Sequence, residues 1–178
     1  MNPTQRPAAP DPQAPHLHVR DTMERTAAVK GDWLALIQAH HAMIESAFND
    51  VLSSAVADAS SRAQAHKRLS YLLTAHSVAE ENTVYPVLAI HGLIQESDKL
   101  YLDQAHAKVM NAVLDLADDK GSEAWLERAQ SLKSAVLLHA KQDEEGDLYP
   151  RLQAALDLTT ASRLASAYRR EFLSVQPG

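Results

Sequence analysis

The 178 residues contain no cysteine. That excludes disulfides, thiolate zinc sites, iron–sulfur clusters and cysteine nucleophiles together. A bound metal would have to be held by imidazole and carboxylate, and the chain has nine histidines and 23 acidic residues to offer. Glycine occurs only five times and aromatic residues make up 5%, while alanine and leucine supply most of the 46% that is apolar. Such a composition favours helices over strands. Positive runs are also missing, the nearest being Arg169-Arg170, and the formal net charge is −6. A chain of that kind is a poor ligand for a phosphate backbone, so no nucleic-acid role is expected. The opening stretch, MNPTQRPAAPDPQAPHLHVR, has proline but no apolar run. It is expected to be a disordered arm over residues 1–22, neither signal peptide nor membrane anchor. A cytoplasmic location is the default expectation.

From residue 23 onward, helix-compatible sequence continues with few breaks. The small polar run VADASSRA around 56–63, AIHGLIQESDK around 89–99 and DDKGSEAW around 118–125 divide it. Ser97 and Ser122 stand where helix N-caps are expected. The result is an all-α prediction of four long helices near 30–55, 61–90, 98–118 and 122–156, forming one domain over 23–157. A fifth, TASRLASAYRREFL, is expected to pack as a C-terminal helix within 158–178.

Steps of three and four residues mark the inward seam of a helical bundle. In the first helix this seam reads Leu34, Ile37, His41, Ile44, Phe48, Val51; in the third, Leu102, His106, Val109, Val113, Leu116; in the fourth, Ala129, Leu132, Val136, His139. The second is less regular, with Leu69, Leu73, His76, Glu80 and Val87 along one face. Each helix thus carries one inward histidine. A single buried imidazole is ordinarily a hydrogen-bonded core residue, since leaving it unpaired costs about 1–3 kcal/mol. Four together require a common reason. His41 fits the first seam better than its neighbour His40, which lies about 100° around the helix. His16, His18, His66 and His91 are read as ordinary.

A repeat supplies the reason. HSVAEENTVYPVL begins at His76 and HAKQDEEGDLYPRL at His139. Glu80 and Glu144, Tyr85 and Tyr149, and Pro86 and Pro150 are each 64 positions apart, His76 and His139 63, His41 and His106 65. Two helix pairs related by an approximate twofold therefore bring imidazoles and carboxylates toward one centre. Such a donor set suits iron, manganese or zinc, and a carboxylate can bridge two ions. In the second helix the acid follows the histidine by four, one turn along the same face. In the fourth, periodicity favours Asp143 and the repeat favours Glu144. The order of acid and histidine is opposite to the Glu-x-x-His of ferritin-like carboxylate sites, which are set aside on that ground.

With QAHHAMIESAF, HSVAEENTVYP, DQAHAKVM and HAKQDEEGDLYP as its marks, the chain resembles the hemerythrin family over roughly residues 30–155. The likeness is to the bacterial domains often called HHE cation-binding domains. It implies an up-down-up-down antiparallel four-helix bundle around a non-haem di-iron centre. It further implies that His41, His76, His106 and His139 are terminal ligands and that Glu80 and Glu144 bridge the irons. Choosing Glu144 over Asp143 follows the five-residue step found in the family's oxygen carriers, which requires a π-type widening of the helix. Those carriers have a further histidine one turn before the third-helix ligand. Here Leu102 stands there, and Asp103, Tyr101 or Tyr71 are the nearest substitutes.

The Tyr-Pro pairs are read as helix kinks, with Tyr85 and Tyr149 as packing residues whose hydroxyls lie near the surface. Glu81 and Glu145 are read as solvated acids or as partners that orient a ligand imidazole. The function implied is binding or sensing of O2 or a related small oxidant. The alternative is a di-iron enzyme acting on hydrogen peroxide or nitric oxide, or one handling iron. A metal-free helical interaction module is the third reading, disfavoured by the repeated cost of burying histidines.

Overall fold

The computed structural model describes residues 32–53 and 59–175. The arm expected over 1–22, with His16 and His18, lies outside them, as do residues 56–58 of the first expected break. Among the described residues every regular element is helical and no strand occurs. None of these helices is long and apolar enough to cross a membrane.

The first helix, α1 (Trp33–Leu52), starts where Asp32 accepts the Ala35 N–H at 2.9 Å, the usual means of satisfying an orphan amide. It buries Ile37, His41, Ile44, Phe48 and Val51 as its seam predicts, and His40 as well. The second rod is continuous but not uniform: α2 (Ala59–Ala79), a π-helical segment Glu80–Val84, then α3 (Tyr85–Ile90). It ends in a Schellman motif. Leu93 N–H bonds to Leu88 C=O and Gly92 N–H to Ala89 C=O, with Gly92 at φ 86°, a conformation that glycine adopts without penalty. The fourth rod repeats the scheme as α5 (Glu123–Leu138), a π-helical segment His139–Leu148 and α6 (Tyr149–Ala155). Ser122 caps it by accepting the Trp125 N–H at 3.2 Å, as expected.

The two prolines help explain the π segments. Each lacks an N–H, and its ring crowds the carbonyl four residues back. Just before each proline, Tyr85 N–H bonds to Glu80 C=O and Tyr149 N–H to Glu144 C=O, five residues back instead of four. A turn widened by one residue moves the crowded carbonyl aside. The widening expected in the fourth rod is therefore present, and a second one stands in the second rod where only a kink was expected.

The third helix, α4 (Ile94–Leu116), differs most from expectation. It begins before Ser97, whose hydroxyl donates to the Tyr85 carbonyl at 2.9 Å instead of capping. Its buried residues are Ser97, Leu100, Gln104 and Leu114, while Leu102, His106, Val109, Val113 and Leu116 all face outward. The expected seam is real as a pattern but lies on the opposite side. The inner face of α4 interrupts its leucines with Ser97 and Gln104, and hydrophobicity alone selects the outward stripe.

The fifth helix, α7 (Leu158–Ser174), is capped by Asp157, which accepts the Thr160 N–H at 2.7 Å. Leu164, Tyr168 and Phe172 at steps of four form its buried stripe, and it packs on α1, α2 and the first π segment. Burying an aromatic of this size contributes about 1.5–3 kcal/mol. α7 is thus part of the core and covers the side of α1 that carries His40.

Candidate metal centre

Five of the six expected ligands converge. His41 comes from α1, His76 from the end of α2, Glu80 opens the first π segment, and the second π segment supplies His139 and Glu144. All five are buried, both carboxylates to 0% exposure. His76 Nε2 lies 3.1 Å from Glu80 Oε2, and His139 Nε2 lies 3.0 Å from Glu144 Oε1. His41 Nε2 faces both acids, 3.2 Å from Glu144 Oε2 and 4.0 Å from Glu80 Oε1. One donor atom each from His41, His76, Glu80 and Glu144 fall within 4.8 Å of one another.

The sixth residue, His106, is exposed on the outer face of α4 and does not reach the cluster. Gln104 takes the inward position of that helix, and Leu100 the one a turn earlier. The Gln104 amide donates to Glu80 Oε2 and to the Tyr85 hydroxyl, both at 3.0 Å. Leu102, expected where the carriers have another histidine, is 71% exposed and not near the centre either.

The tyrosines of the repeat are the main site residues that sequence reading missed. Both are fully buried, not at the surface. Tyr85 Oη lies 2.8 Å from Glu144 Oε1, 3.3 Å from Glu80 Oε2 and 3.1 Å from His139 Nε2. Tyr149 Oη lies 2.5 Å from Glu80 Oε1 and 2.8 Å from Glu144 Oε1. Two phenols therefore span the paired acids. Their position follows from the widened turns, which place the tyrosine five residues after each acid on the same inner side. The signal in the sequence was the conjunction of Glu and Tyr at equal spacing in both copies.

Behind the donor atoms stands a ring of orienting contacts. His41 Nδ1 is 2.6 Å from Glu145 Oε1, the orienting role expected for that acid. Glu81 instead pairs with Lys108 at 2.7 Å. His139 Nδ1 faces Asp103 Oδ2 at 3.4 Å. Asp143 shares the Lys99 ammonium with Asp103, at 2.7 and 2.8 Å, and these two acids and His139 each offer a donor atom within 4.8 Å of one another. His76 Nδ1 is 2.9 Å from the hydroxyl of Tyr168, which is also 2.8 Å from His40 Nδ1. One hydroxyl on α7 thus joins two histidines, a link with no counterpart in the repeat and no periodic signal to reveal it. His66, read as ordinary, is buried beside Asn111 and Trp125.

Electrostatics reflects the crowding of acids. Burial works to lower the pKa of His41 and His139, but the adjacent Glu144, aided by Glu145 at His41, prevails and raises each to about 9. Burial opposes ionisation of Glu144, yet His139 and His41 hold its pKa well below the usual carboxylate range. For His40, burial and then the neighbouring His76 and His41 lower the pKa well below normal. Burial, with Glu144 and Glu80 close by, raises the Tyr85 and Tyr149 phenols well above 10. The centre thus holds negative oxygens against imidazoles that a cation could replace as counter-charge.

A metal fits on a specific observation. His41 Nε2 and Glu144 Oε2 are buried, face each other, and find no hydrogen-bond partner among the described residues. Their 3.2 Å ion pair leaves this hydrogen-bonding capacity unused at full burial, which is unfavourable, and a cation between them would engage both. Imidazole and carboxylate around one point are the donors that divalent first-row metals take. No curated protein and no solved structure matches the chain with significance. A family model, the hemerythrin HHE cation-binding domain, matches residues 33–152 and encloses the whole His–Glu cluster. The chain belongs to the hemerythrin HHE cation-binding domain family.

Proposed function

We propose that this protein binds two iron ions in an up-down-up-down bundle and uses them to bind or sense O2 or a related small oxidant. His41 and His76 would serve one ion and His139 the other, with Glu80 and Glu144 between them and the Tyr85 hydroxyl beside His139. Manganese or zinc are substitutes the same donors accept. Bound iron would supply reversible one-electron chemistry at each of two adjacent centres. The carboxylates offset the charge of the ions, and Glu145, Asp103 and Tyr168 fix the imidazoles through their Nδ1 atoms. Phe48, Leu69 and Leu132 belong to the buried apolar core that packs the helices carrying these ligands.

The observation that carries this reading is the pair His41 Nε2 and Glu144 Oε2, fully buried, 3.2 Å apart and without a hydrogen bond, inside a buried His–Glu cluster. The test is to load metal-free protein with ferrous iron without oxygen, count iron per chain, and record visible absorption before air, after air and after purging. Two irons and a band that appears and then fades support reversible binding. Uptake well below one iron per chain would reject the reading.

A second reading, turnover of hydrogen peroxide, rests on Tyr85 and Tyr149. Their phenols remain protonated at neutral pH and touch both acids, so they can deliver a proton at the centre. Equal rates of peroxide loss in the iron-loaded wild type and in Tyr85→Phe would reject it.

A further inference from the structure

We propose that the outward face of α4 is the contact surface for a second copy of this chain, α4 packing antiparallel against α4. Five residues, Leu102, His106, Val109, Val113 and Leu116, follow one another at steps of four, three, four and three. That is the seam of a coiled coil. Yet it faces solvent: Leu102 is 71% exposed, Val109 63%, Val113 44% and Leu116 82%. Among the described residues this face is left open, because the inner face of α4 is the one carrying Leu100, Gln104 and Leu114. Monomers rarely leave so continuous an apolar stripe uncovered.

The stripe is complementary to itself, which is what commits the occupant to a second copy. Ala105 and Ala112, both exposed, flank it seven residues apart and leave room for a second helix to approach closely. A twofold axis across the helix sets Leu102 against Val113 of the second copy and His106 against Val109 of it, so each imidazole meets an aliphatic residue. Lys99, whose ammonium is held by Asp103 and Asp143 of its own chain, then falls opposite Leu116 of the second copy. A parallel pairing would instead set His106 against His106 and Lys99 against Lys99. The seam runs about 21 Å at 1.5 Å per residue. Covering it and its flanking alanines on both copies would bury on the order of 1,200 Å², the lower edge of what specific association needs. The pairing is therefore expected to be reversible, with a dissociation constant in the micromolar range.

Light scattering of the full chain over about 1–200 µM tests this. The expected result is a shift from the 19.5 kDa monomer toward twice that mass, abolished over the same range by Leu102→Glu with Val109→Glu. Both positions are exposed, so helical content and metal uptake should be unchanged in that variant. A wild type that stays monomeric, or a dimer that persists in the variant, would overturn the proposal. The lack of native cysteine allows the orientation to be checked independently. An equal mixture of Leu102→Cys and Val113→Cys chains should form a mixed disulfide dimer under mild oxidation, while Leu102→Cys alone should not. Efficient cross-linking of Leu102→Cys to itself would overturn the antiparallel arrangement.

Discussion

Metal loading should expel protons, and the number follows from the site. In the metal-free protein the imidazoles of His41 and His139 hold their protons up to about pH 9. At pH 7 both are then about 99% protonated, whereas a free imidazole with a pKa near 6.5 would be protonated for about a quarter of the time. A metal takes the imidazole lone pair, so each ring must lose its proton first. These two groups alone should release about two protons per chain at pH 7, against about half a proton if they titrated as in water. The sign follows directly. Below pH 9 protons compete with the metal, so the apparent affinity for each ion rises with pH by up to about tenfold per unit, about a hundredfold for the pair together, and levels off above about pH 9. Zinc is a suitable probe because it is redox-inert. Calorimetric titration at pH 7 in two buffers of different ionisation enthalpy yields the proton count. Fewer than one proton released would refute the account of Glu144 as the group that holds these rings charged.

Three further outcomes are expected. Tyr168→Phe removes the hydroxyl shared by His40 and His76; thermal unfolding should show a loss of about 1–3 kcal/mol, and metal titration a 10- to 100-fold weaker affinity. Glu144→Gln should cut metal stoichiometry or affinity sharply, whereas Asp143→Asn, which disturbs a partly exposed Lys99 pair beside His139, should change stability by less than about 1 kcal/mol and lower metal affinity far less than Glu144→Gln does. His106→Ala should alter neither iron content nor stability by more than about 0.5 kcal/mol, because the residue is exposed away from the cluster.

The fold was legible where hydrophobic period and burial coincide. The α1 seam, the Ser122 cap and the fifth helix could all be read because apolar residues there point inward and the caps have ordinary chemistry. The centre was legible through its repeat, since His-x-x-x-Glu and its widened copy place donors on one inner side. α4 broke this correspondence. Its apolar stripe faces out and its inner face carries Ser97 and Gln104, so a rule that equates apolar with buried turns His106 inward when the structure leaves it exposed. Tyr85 and Tyr149 were assigned to packing for a related reason. Their inward direction depends on two π-helical turns, and an ideal 3.6-residue period cannot project side chains through them. Tyr168 lacked any signal, since its partners are 92 and 128 residues away in sequence.

The hydroxyl of Tyr168 also bears on where the working unit ends. The family match closes at residue 152, but the partner of the His76 ring lies on α7, beyond that limit. A chain cut at the family boundary would keep every proposed ligand atom and lose the group that fixes one of them. Conversely, substitutions confined to α7 can change how firmly His76 is held, and so how well it would serve the proposed metal, while every residue of the matched domain stays the same. The appended helix is a place where the geometry of this centre can be adjusted from outside the matched domain.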